Sequence, residues 1–269
     1  MPHLRAIVRS SAPDGAEERF PFTVPVVRTL TELSLDSAVT FLVGENGSGK
    51  PTMLEAGAVA AELPTVGSTA VHSDNTLGSQ QELGRTLRLI WHRRTRRGFF
   101  LRAEDFFGFT KSLAIMRAEL QARLEALEEE YADRSAYAKG LAQGPARASL
   151  ADMERRYGID LDANSHGQSF LRLFESRFVP GGLYLLDEPE APLSPQSQLA
   201  LMMMMMRMVA EDAQFVIATH SPILLAYPGA RIYSCDQVPI AEVQYGELEH
   251  VTLTRDFLND PERFLRHLR

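Results

Sequence analysis

The chain has 269 residues, which leaves room for one large domain or two small ones, and its 45% hydrophobic and 23% charged residues are typical of a globular protein. A single cysteine, Cys235, excludes an intramolecular disulfide and a zinc site built on paired thiolates. The net charge of -7 argues against a surface that coats nucleic acid over its whole extent, although it is compatible with a local basic patch.

The first residues do not have the pattern of a targeting segment. Residues 1–10 include Arg5 and Arg9 and lack the apolar block of a secretory signal. No apolar run in the sequence approaches the roughly 20 residues that a membrane-spanning helix needs. We therefore expect a cytoplasmic protein that does not bind a membrane.

Short apolar runs, β-branched or aromatic and bounded by turn residues, predict strands that are buried on both faces. They lie at residues 4–8, 39–43, 183–186 and 215–218. Helical patterns lie between them at residues 50–63, 112–134, 168–178 and 194–210. This alternation predicts an α/β fold with a three-layer core.

The middle of the chain interrupts this alternation. Residues 85–104 predict a strand pair that turns at 96–98, and residues 112–157 predict an all-helical segment. Gly140, Gly144 and Pro145 are expected to divide that segment into two helices. The pattern indicates an insertion between two halves of one fold.

Residues 202–206 are five consecutive methionines inside a helical pattern. We interpret them as part of a helix packed on the sheet rather than a copper or partner site, because consecutive residues point all round a helix. Residues 232–250 predict edge strands, and Asp260-Pro261-Glu262 has the form of a cap and first turn of a last helix.

A glycine-rich loop follows the apolar strand at 40–43 and precedes a helix. Its sequence is Gly44-Glu45-Asn46-Gly47-Ser48-Gly49-Lys50. Glycines let backbone N–H groups turn inward around phosphate oxygens, the lysine reaches the β and γ phosphates, and the helix N-terminus adds partial positive charge. The G-x(4)-G-K spacing after a strand therefore predicts a phosphate-binding loop rather than a flexible linker.

The loop departs from the usual pattern at its last position. Pro51 stands where a serine or threonine would place a hydroxyl on Mg²⁺. Proline is tolerated in the first turn of a helix, but it brings no hydroxyl and removes one backbone N–H. Thr52 is a poor replacement because one helical step turns a side chain by about 100°. We expect nucleotide binding to be weakened and hydrolysis to be weakened more.

Two further groups of polar residues follow apolar strands. Asp187 and Glu188 follow the strand at 183–186, where Asp187 would hold Mg²⁺ and Glu188 would orient and deprotonate an attacking water. Carboxylates at a buried strand end are costly unless a cation or a polar network needs them. His220 follows the strand at 215–218 and could sense a γ-phosphate, although a lone histidine there usually satisfies local hydrogen bonds.

These elements occur in the order of an ABC-type ATPase, and the chain resembles that superfamily over nearly its whole length. Ser165-His166-Gly167-Gln168 stands in the place of the signature loop. Its histidine replaces a glycine, which resembles the non-transporter branch of SMC, Rad50 and overcoming-lysogenization-defect ATPases. Residues 191–195 resemble the D-loop. Residues 98–104 and 183–195 look more narrowly like those of small stand-alone bacterial ATPases labelled AAA-family.

The resemblance implies an α/β P-loop NTPase with an ABC-ATPase-like three-layer core, an antiparallel β subdomain and a short helical insertion. It implies one domain, 1–269, with a nucleotide core at 1–84 and 179–269 and a hairpin, helical and signature insertion at 85–178. Its ligands would be ATP and Mg²⁺, with Asp187 as metal ligand and Lys50, Glu188 and His220 as catalytic residues.

The resemblance also implies a head-to-tail, nucleotide-dependent homodimer, in which the signature loop of one subunit faces the γ-phosphate held by the other. The nucleotide-binding residues would be Gly44, Glu45, Asn46, Gly47, Ser48, Gly49, Lys50, Pro51, Thr52, Ser165, Gly167 and Gln168. The Q-loop is expected after the strand at 99–101, where the sequence has Glu104 and no glutamine. Phe20 or Phe22 could stack on adenine, although we favour a core position for both.

A cluster of arginines lies between residues 85 and 102. Arg93, Arg94, Arg96 and Arg97 are the candidates for contacts with nucleic-acid phosphates. A solvated hairpin whose arginines pair with the acidic excess is the favoured alternative. The helical segment is too short to tether distant DNA segments as SMC and Rad50 relatives do.

Three functions are consistent with this pattern. The first is an ATPase whose nucleotide-driven dimerisation regulates an unidentified partner protein or nucleic acid. The second is a nucleotide-binding module with little turnover, because Pro51 replaces the Mg²⁺-binding hydroxyl. The third is the ATPase component of a defence or toxin nuclease system.

Overall fold

The computed structural model describes residues 2–66, 78–157 and 166–266. Its strands, in chain order, are β1 (Leu4–Arg9), β2 (Glu32–Ser34), β3 (Val39–Val43), β4 (Leu87–Trp91), β5 (Gly98–Arg102), β6 (Leu183–Asp187), β7 (Gln214–Ala218), β8 (Arg231–Ser234) and β9 (Ala241–Glu242). Within these ranges the larger sheet has the order β5-β6-β7-β3-β8-β9, and the smaller, antiparallel sheet has the order β2-β1-β4.

Neighbouring strands of the larger sheet are parallel, except for the antiparallel pair β8 and β9. A parallel sheet is covered on both faces, so its strands are continuous apolar runs. Every residue of β3, β6 and β7 is buried, as the sequence predicted. Because these strands are parallel neighbours in the order β6-β7-β3, their carboxyl ends meet at one edge of the sheet.

The helices are α1 (Pro25–Arg28), α2 (Lys50–Ala60), α3 (Gly78–Thr86), α4 (Ala103–Glu130), α5 (Ala136–Tyr157), α6 (His166–Arg177), α7 (Pro195–Ala210), α8 (Pro222–Leu225), α9 (Glu249–Asn259) and α10 (Pro261–Leu265). Side-chain caps fix the starts of α7 and α10, among others. The Ser194 side chain accepts from Ser197 N before α7, and the Asp260 side chain accepts from Arg263 N before α10. Both predicted helix starts are confirmed.

Two buried clusters lie on opposite faces of the larger sheet. Tyr184 and Leu186 of β6 belong to the cluster that includes Phe174 of α6 and Met205 of α7. Leu185 points to the other face and belongs to the cluster formed with α2 and the smaller sheet. The result is a three-layer α/β core with an antiparallel sheet on one side, which confirms the predicted fold class.

The methionine run lies in α7 and packs as predicted. Met205 and Met208 are buried in the cluster on the sheet, whereas Met203 is 71% exposed. Consecutive methionines therefore point in different directions around the helix.

Gln214, the first residue of β7, joins the smaller sheet to the larger one. Its side chain is fully buried, accepts from the N–H groups of His3 at 2.9 Å and Leu4 at 2.7 Å, and donates to the carbonyls of Leu4 and Leu35, both at 2.8 Å. A buried amide needs such partners. Gln214 thus fixes the start of β1 against the core.

The predicted hairpin at residues 85–104 is wrong. β4 pairs with β1 in the smaller sheet, whereas β5 lies parallel to β6 in the larger sheet. The four consecutive buried residues of β5, 99–102, explain its position, because a strand of a parallel sheet needs two apolar faces. The segment 85–104 therefore links the two sheets rather than projecting from them.

The expected helix break at Gly140, Gly144 and Pro145 is also wrong. The break lies between α4 and α5, and Pro145 is an exposed position inside α5. Ser135 explains where the second helix starts, because its hydroxyl accepts from Ala138 N at 3.2 Å and caps α5. Two helices form as expected, at a different boundary.

Two strand predictions need smaller corrections. β1 has an exposed Arg5 and lies in the antiparallel sheet, so it is not buried on both faces. In the tail, β8 lies between β3 and β9, so only β9 is an edge strand, and α9 begins at Glu249. Over the part of the chain that the structure describes, no helix is long and apolar enough to cross a bilayer.

Candidate functional site

The loop between β3 and α2 is shaped by left-handed glycines. The φ angles are 151° at Gly44, 88° at Gly47 and 96° at Gly49. A Cβ on Gly49 would lie 2.5 Å from Cγ1 of Val24, so this position needs glycine for space as well as for backbone conformation. The loop thereby turns directly into the first residue of α2, Lys50.

Lys50 is buried at the centre of this loop. Only 2% of the residue is exposed, and its Nζ donates to the carbonyls of Gly44 at 2.6 Å and Glu45 at 3.0 Å. The Asp236 carboxylate, beyond β8, accepts from Glu45 N at 2.8 Å and anchors the loop to the sheet. Two backbone oxygens therefore hold the ammonium group inside the turn, where it can exchange these acceptors for phosphate oxygens.

Pro51 occupies the first turn of α2 and is exposed, whereas Thr52 is 8% exposed. The helix forms normally, since Met53 N donates to Gly49 O at 3.0 Å. Proline costs the helix little here because the first N–H groups have no partner within the helix. The two neighbouring side chains lie in different environments, as the helical geometry predicts.

The acidic pair lies at the carboxyl end of β6. Asp187 is 9% exposed and pairs in register with Arg102 of β5 and Ala218 of β7. Glu188 has a φ of 48°, and its N–H donates to Ala218 O at 2.9 Å. A left-handed conformation at a residue other than glycine costs on the order of 1 kcal/mol or more. The hydrogen bond to β7 holds Glu188 in that strained turn.

A buried ion pair lies next to Asp187, and the sequence reasoning missed it. Arg102 Nε lies 2.8 Å from Glu55 Oε1, and both side chains are 10% exposed. Glu55 is on α2, one turn after Pro51, so the pair links the helix that follows the phosphate loop to β5. A carboxylate between the apolar residues Leu54 and Ala56 of α2 was the available signal, because buried charges are paired or bind ions.

Asp187 has an elevated affinity for a proton. The pKa of Asp187 is raised to about 7, with burial as the largest cause; the neighbouring Glu188 and Glu55 carboxylates also raise it, and the Lys50 and Arg102 charges oppose the rise. Its Oδ1 atom is buried without a hydrogen-bond partner among the described residues. The strand end thus has an unsatisfied acceptor in a region of negative charge.

This pKa predicts the pH dependence of stability in metal-free protein. The folded-state pKa of about 7 exceeds the ordinary value of 3.8, so between these pH values only the folded state keeps the proton and stability falls as pH rises. Asp187→Asn should therefore stabilise the protein at pH 8 by on the order of 2 to 4 kcal/mol relative to wild type and have little effect below pH 4.

Urea unfolding in EDTA at pH 3.5 and pH 8 measures this difference. Asp133→Asn, at an exposed position between α4 and α5, is the control and should not change the pH dependence. If the free energies of unfolding of wild type and Asp187→Asn differed by the same amount at both pH values, Asp187 would not be a buried group with a raised pKa.

His220 and Glu188 meet in an open cleft. His220 Nε2 lies 3.7 Å from Glu188 Oε1, and both side chains are partly exposed. The cleft has a volume of about 620 Å³ and is lined by Glu45, Asn46, Glu188 and His220. A second cleft of about 580 Å³ shares Glu45 and His220 with it and is also lined by Asp236 and His250. Burial is the main cause that lowers the pKa of His250, with the nearby His220 and Lys50 as smaller causes.

The structure brings the predicted loop, the acidic pair and the histidine to one edge of the larger sheet. Ser165 lies outside the described residues. Gly167 is buried near the start of α6, where an added Cβ would lie 3.1 Å from Pro192 O, and Gln168 is exposed. The atoms nearest to that Cβ belong to the loop after β6 and to Ser197 of α7.

The two aromatic candidates differ from one another. Phe22 is fully buried, with the Arg9 guanidinium 5.7 Å from its ring centroid, so the expected core position is confirmed. Phe20 is 53% exposed, and the expected core position is wrong for it. The position predicted for the Q-loop, at Glu104, lies in the first turn of α4.

The arginine cluster is partly engaged with the protein itself. Arg94 pairs with Glu62 at 3.2 Å, and Arg97 donates to Pro180 O at 3.2 Å. These contacts support a structural role for two of the four arginines. Nucleic-acid binding through Arg93, Arg94, Arg96 and Arg97 stays a prediction.

The strand order, the phosphate loop and the acidic strand end define the class of protein: the chain has a P-loop nucleoside triphosphatase fold. Residues 171–226, less than half of the chain, match the family model described as "AAA domain, putative AbiEii toxin, Type IV TA system". The matched segment contains Asp187, Glu188 and His220. A search of curated proteins gave no match.

Similar solved structures are ATP-binding cassettes and SMC heads. The ATP-binding cassette MJ1267 of an ABC transporter, in its ADP conformation, is 17% identical over 97% of this chain and 96% of its own, with a TM-score of 0.46. The Smc head domain from Pyrococcus furiosus, bound to the C-terminal domain of ScpA, is 10% identical over 96% and 100%, with a TM-score of 0.46. The SMC head domain from Thermotoga maritima is 12% identical over 90% and 98%, with a TM-score of 0.42.

Proposed function

We propose that this protein binds ATP at residues 44–52 and hydrolyses it as a head-to-tail homodimer, whose nucleotide-driven association regulates a partner protein. The observation that carries the proposal is the meeting of Lys50, Asp187, Glu188 and His220 at one edge of the sheet, beside an open cleft. A cation-bearing loop opposite two carboxylates and a histidine is the set of groups that phosphoryl transfer to water needs. We assign the whole chain, 1–269, to one such domain.

Each group has a role in this proposal. The loop N–H groups and Lys50 bind the β and γ phosphates, since they combine a positive charge with convergent donors. Glu188 is the general base that takes a proton from the attacking water. His220, 3.7 Å from the Glu188 carboxylate, contacts the γ-phosphate. The assigned nucleotide contacts are Gly44, Glu45, Asn46, Gly47, Ser48, Gly49, Lys50, Pro51 and Thr52, with Phe20 as the candidate for stacking on adenine.

The acidic end of β6 fits Mg²⁺. Asp187 Oδ1 is buried without a hydrogen-bond partner in the described ranges, and carboxylate oxygens are the ligands that Mg²⁺ prefers. When bound, the ion would neutralise negative charge on the phosphates. Asp187 would be its protein ligand, and Pro51 would supply no hydroxyl to it.

We propose the dimer because the start of α6 packs against the loop after β6, at Gly167 and Pro192. Ser165, Gly167 and Gln168 would face the γ-phosphate of the second subunit, where the N-terminus of α6 favours negative charge. The packing of Gly167 against Pro192 ties that helix start to the loop after β6. The matched family description also supports a second candidate function, as the ATPase component of a toxin system.

The catalytic proposal is tested by restoring the missing hydroxyl. Pro51→Ser is expected to raise Mg²⁺-dependent ATP turnover by at least about 10-fold over a slow wild type, because it returns a metal ligand and a backbone N–H. Steady-state phosphate release measures the change. Pro261→Ser, which also replaces a proline in the first turn of a helix and lies far along the chain from the cleft, is the control.

The outcomes separate the alternatives. Turnover by Pro51→Ser and none by wild type would favour the nucleotide-binding module. If both proteins are folded and neither turns over ATP, the catalytic proposal is wrong.

A further inference from the structure

Glu190 lies two residues beyond Glu188, in the loop that follows β6. The left-handed turn at Glu188, closed by the bond from Ala191 N to Glu188 O at 3.1 Å, directs this loop back across the end of β7. There the Glu190 Oε1 atom accepts from His220 N at 2.8 Å, and the Thr219 hydroxyl donates to the same carboxylate. The carboxylate thus holds two consecutive residues of the loop after β7.

A second contact holds the same loop one residue further on. The Ser221 hydroxyl donates to Gln198 Oε1 at 2.6 Å, and Gln198 Nε2 donates to Leu193 O at 3.1 Å. Ser221 also caps α8, since its hydroxyl accepts from Leu224 N at 3.1 Å. The loop around His220 is therefore held by two separate side chains, Glu190 of the loop after β6 and Gln198 of α7, and Glu190 bonds to His220 itself.

The imidazole of His220 has less support than its backbone. Its Nε2 atom is buried without a hydrogen-bond partner among the described residues, and it lies 3.7 Å from Glu188 Oε1. The ring packs edge-on against His250, with 6.4 Å between centroids. Because packing alone fixes a ring loosely, the backbone bond to Glu190 sets where the imidazole stands.

Burial of the Glu190 carboxylate is unfavourable for stability. Burial raises its pKa, and the nearby Glu188 charge raises it too, while the bonds from Thr219 and His220 act in the opposite direction. The Oε2 atom is buried without a hydrogen-bond partner in the described part of the chain. A buried carboxylate with an unsatisfied oxygen destabilises the fold, so stability alone does not explain Glu190. Strained or energetically unfavourable groups of this kind are typical of functional sites.

We propose, on the basis of the ATPase function proposed above, that Glu190 is a positioning residue for hydrolysis: its carboxylate fixes the His220 backbone and thereby places the imidazole beside Glu188 and the γ-phosphate. Glu190 acts only through His220. The two carboxylates after β6 therefore have separate tasks, with Glu188 acting on water and Glu190 on the histidine loop.

A double-mutant cycle tests this inference. Glu190→Ala should lower kcat about 10-fold with KM changed less than about two-fold, because the histidine is displaced while the phosphate loop is intact. Glu190→Gln keeps the Oε1 acceptor and should retain most of the activity. In a His220→Ala background, Glu190→Ala should cause no further loss. Glu175→Ala, at an exposed position of α6, is the control.

The cycle is measured in the wild type or in Pro51→Ser, whichever turns over ATP faster. The inference would be overturned if Glu190→Ala lowered kcat equally in the parent and in the His220→Ala background, or if Glu190→Ala left kcat unchanged. Either result would leave the ATPase proposal standing. Thermal unfolding distinguishes a positioning role from a structural one, since Glu190→Gln should be at least as stable as the parent.

A readout without turnover keeps the two proposals separate. In nucleotide-free protein, Glu190→Ala should shift the ¹H and ¹³C ring resonances of His220, which His220→Ala identifies, while Glu175→Ala leaves them in place. If neither the wild type nor Pro51→Ser hydrolyses ATP, the ATPase proposal fails. Unshifted His220 resonances in Glu190→Ala would overturn the positioning of His220 by Glu190 as well.

Discussion

Glutamine in place of Glu188 is expected to lower ATP turnover by about 10²- to 10⁴-fold while leaving ATP affinity within a few-fold of wild type. The substitution removes a proton acceptor and keeps the shape of the side chain. Glu188 lines the open cleft and lies beside His220, whereas the phosphate loop contacts are made by other residues. Loss of the chemical step with retained binding is therefore the specific signature of a general base.

The measurement compares kcat, from phosphate release, with the Kd for ATP in Mg²⁺, both in the Pro51→Ser background. Glu249→Gln, on the rim of the adjoining cleft, is the matched control and should not change kcat. Trapped ATP should also lengthen the life of the dimer, which size-exclusion chromatography with ATP detects. Full turnover by Glu188→Gln would assign the base elsewhere.

The strain at Glu188 gives a reason for this assignment that the sequence could not supply. A carboxylate that merely began a surface loop would have no need of a left-handed turn, which costs on the order of 1 kcal/mol or more. Here the turn places the Glu188 side chain in the cleft with His220 and sends Glu190 back toward the loop after β7. One backbone conformation therefore serves both carboxylates.

The parts of the site that the sequence revealed are local in the chain. The glycine spacing before Lys50, the acidic pair after β6 and the histidine after β7 each follow an apolar strand within a few residues. Parallel strands bring their carboxyl ends to one edge, so these local signals were enough to predict one shared site.

The parts that the sequence did not reveal depend on contacts between distant segments. Arg102 reaches Glu55 only because β5 lies beside β6, and the predicted hairpin had placed that strand elsewhere. Asp236, which follows β8, bonds to Glu45, which follows the neighbouring strand β3. No spacing rule connects such pairs, because their proximity is set by strand order.

Lys50→Met is expected to weaken ATP binding by about 10- to 100-fold, the value of one or two charge-assisted hydrogen bonds to phosphate. Methionine keeps the length and the apolar stem of lysine and removes only the ammonium group. The loop should keep its shape, since the left-handed glycines and the Asp236 contact do not depend on the ammonium. Binding is measured by isothermal titration with ATP in Mg²⁺.

Lys111→Met, at an exposed position of α4, controls for loss of a positive charge in general. Folding is checked by thermal unfolding, because Lys50→Met also leaves the carbonyls of Gly44 and Glu45 without their donor.

A further expected effect of Lys50→Met distinguishes a phosphate loop from a flexible linker. The positive charge of Lys50 lowers the pKa of Asp187 in the wild type. Without that charge, the pKa of Asp187 should rise further above its ordinary value. Unchanged ATP affinity in folded Lys50→Met would place the nucleotide outside this loop. A triphosphate bound in the loop should bind more weakly once the positive charge at the centre of the loop is removed.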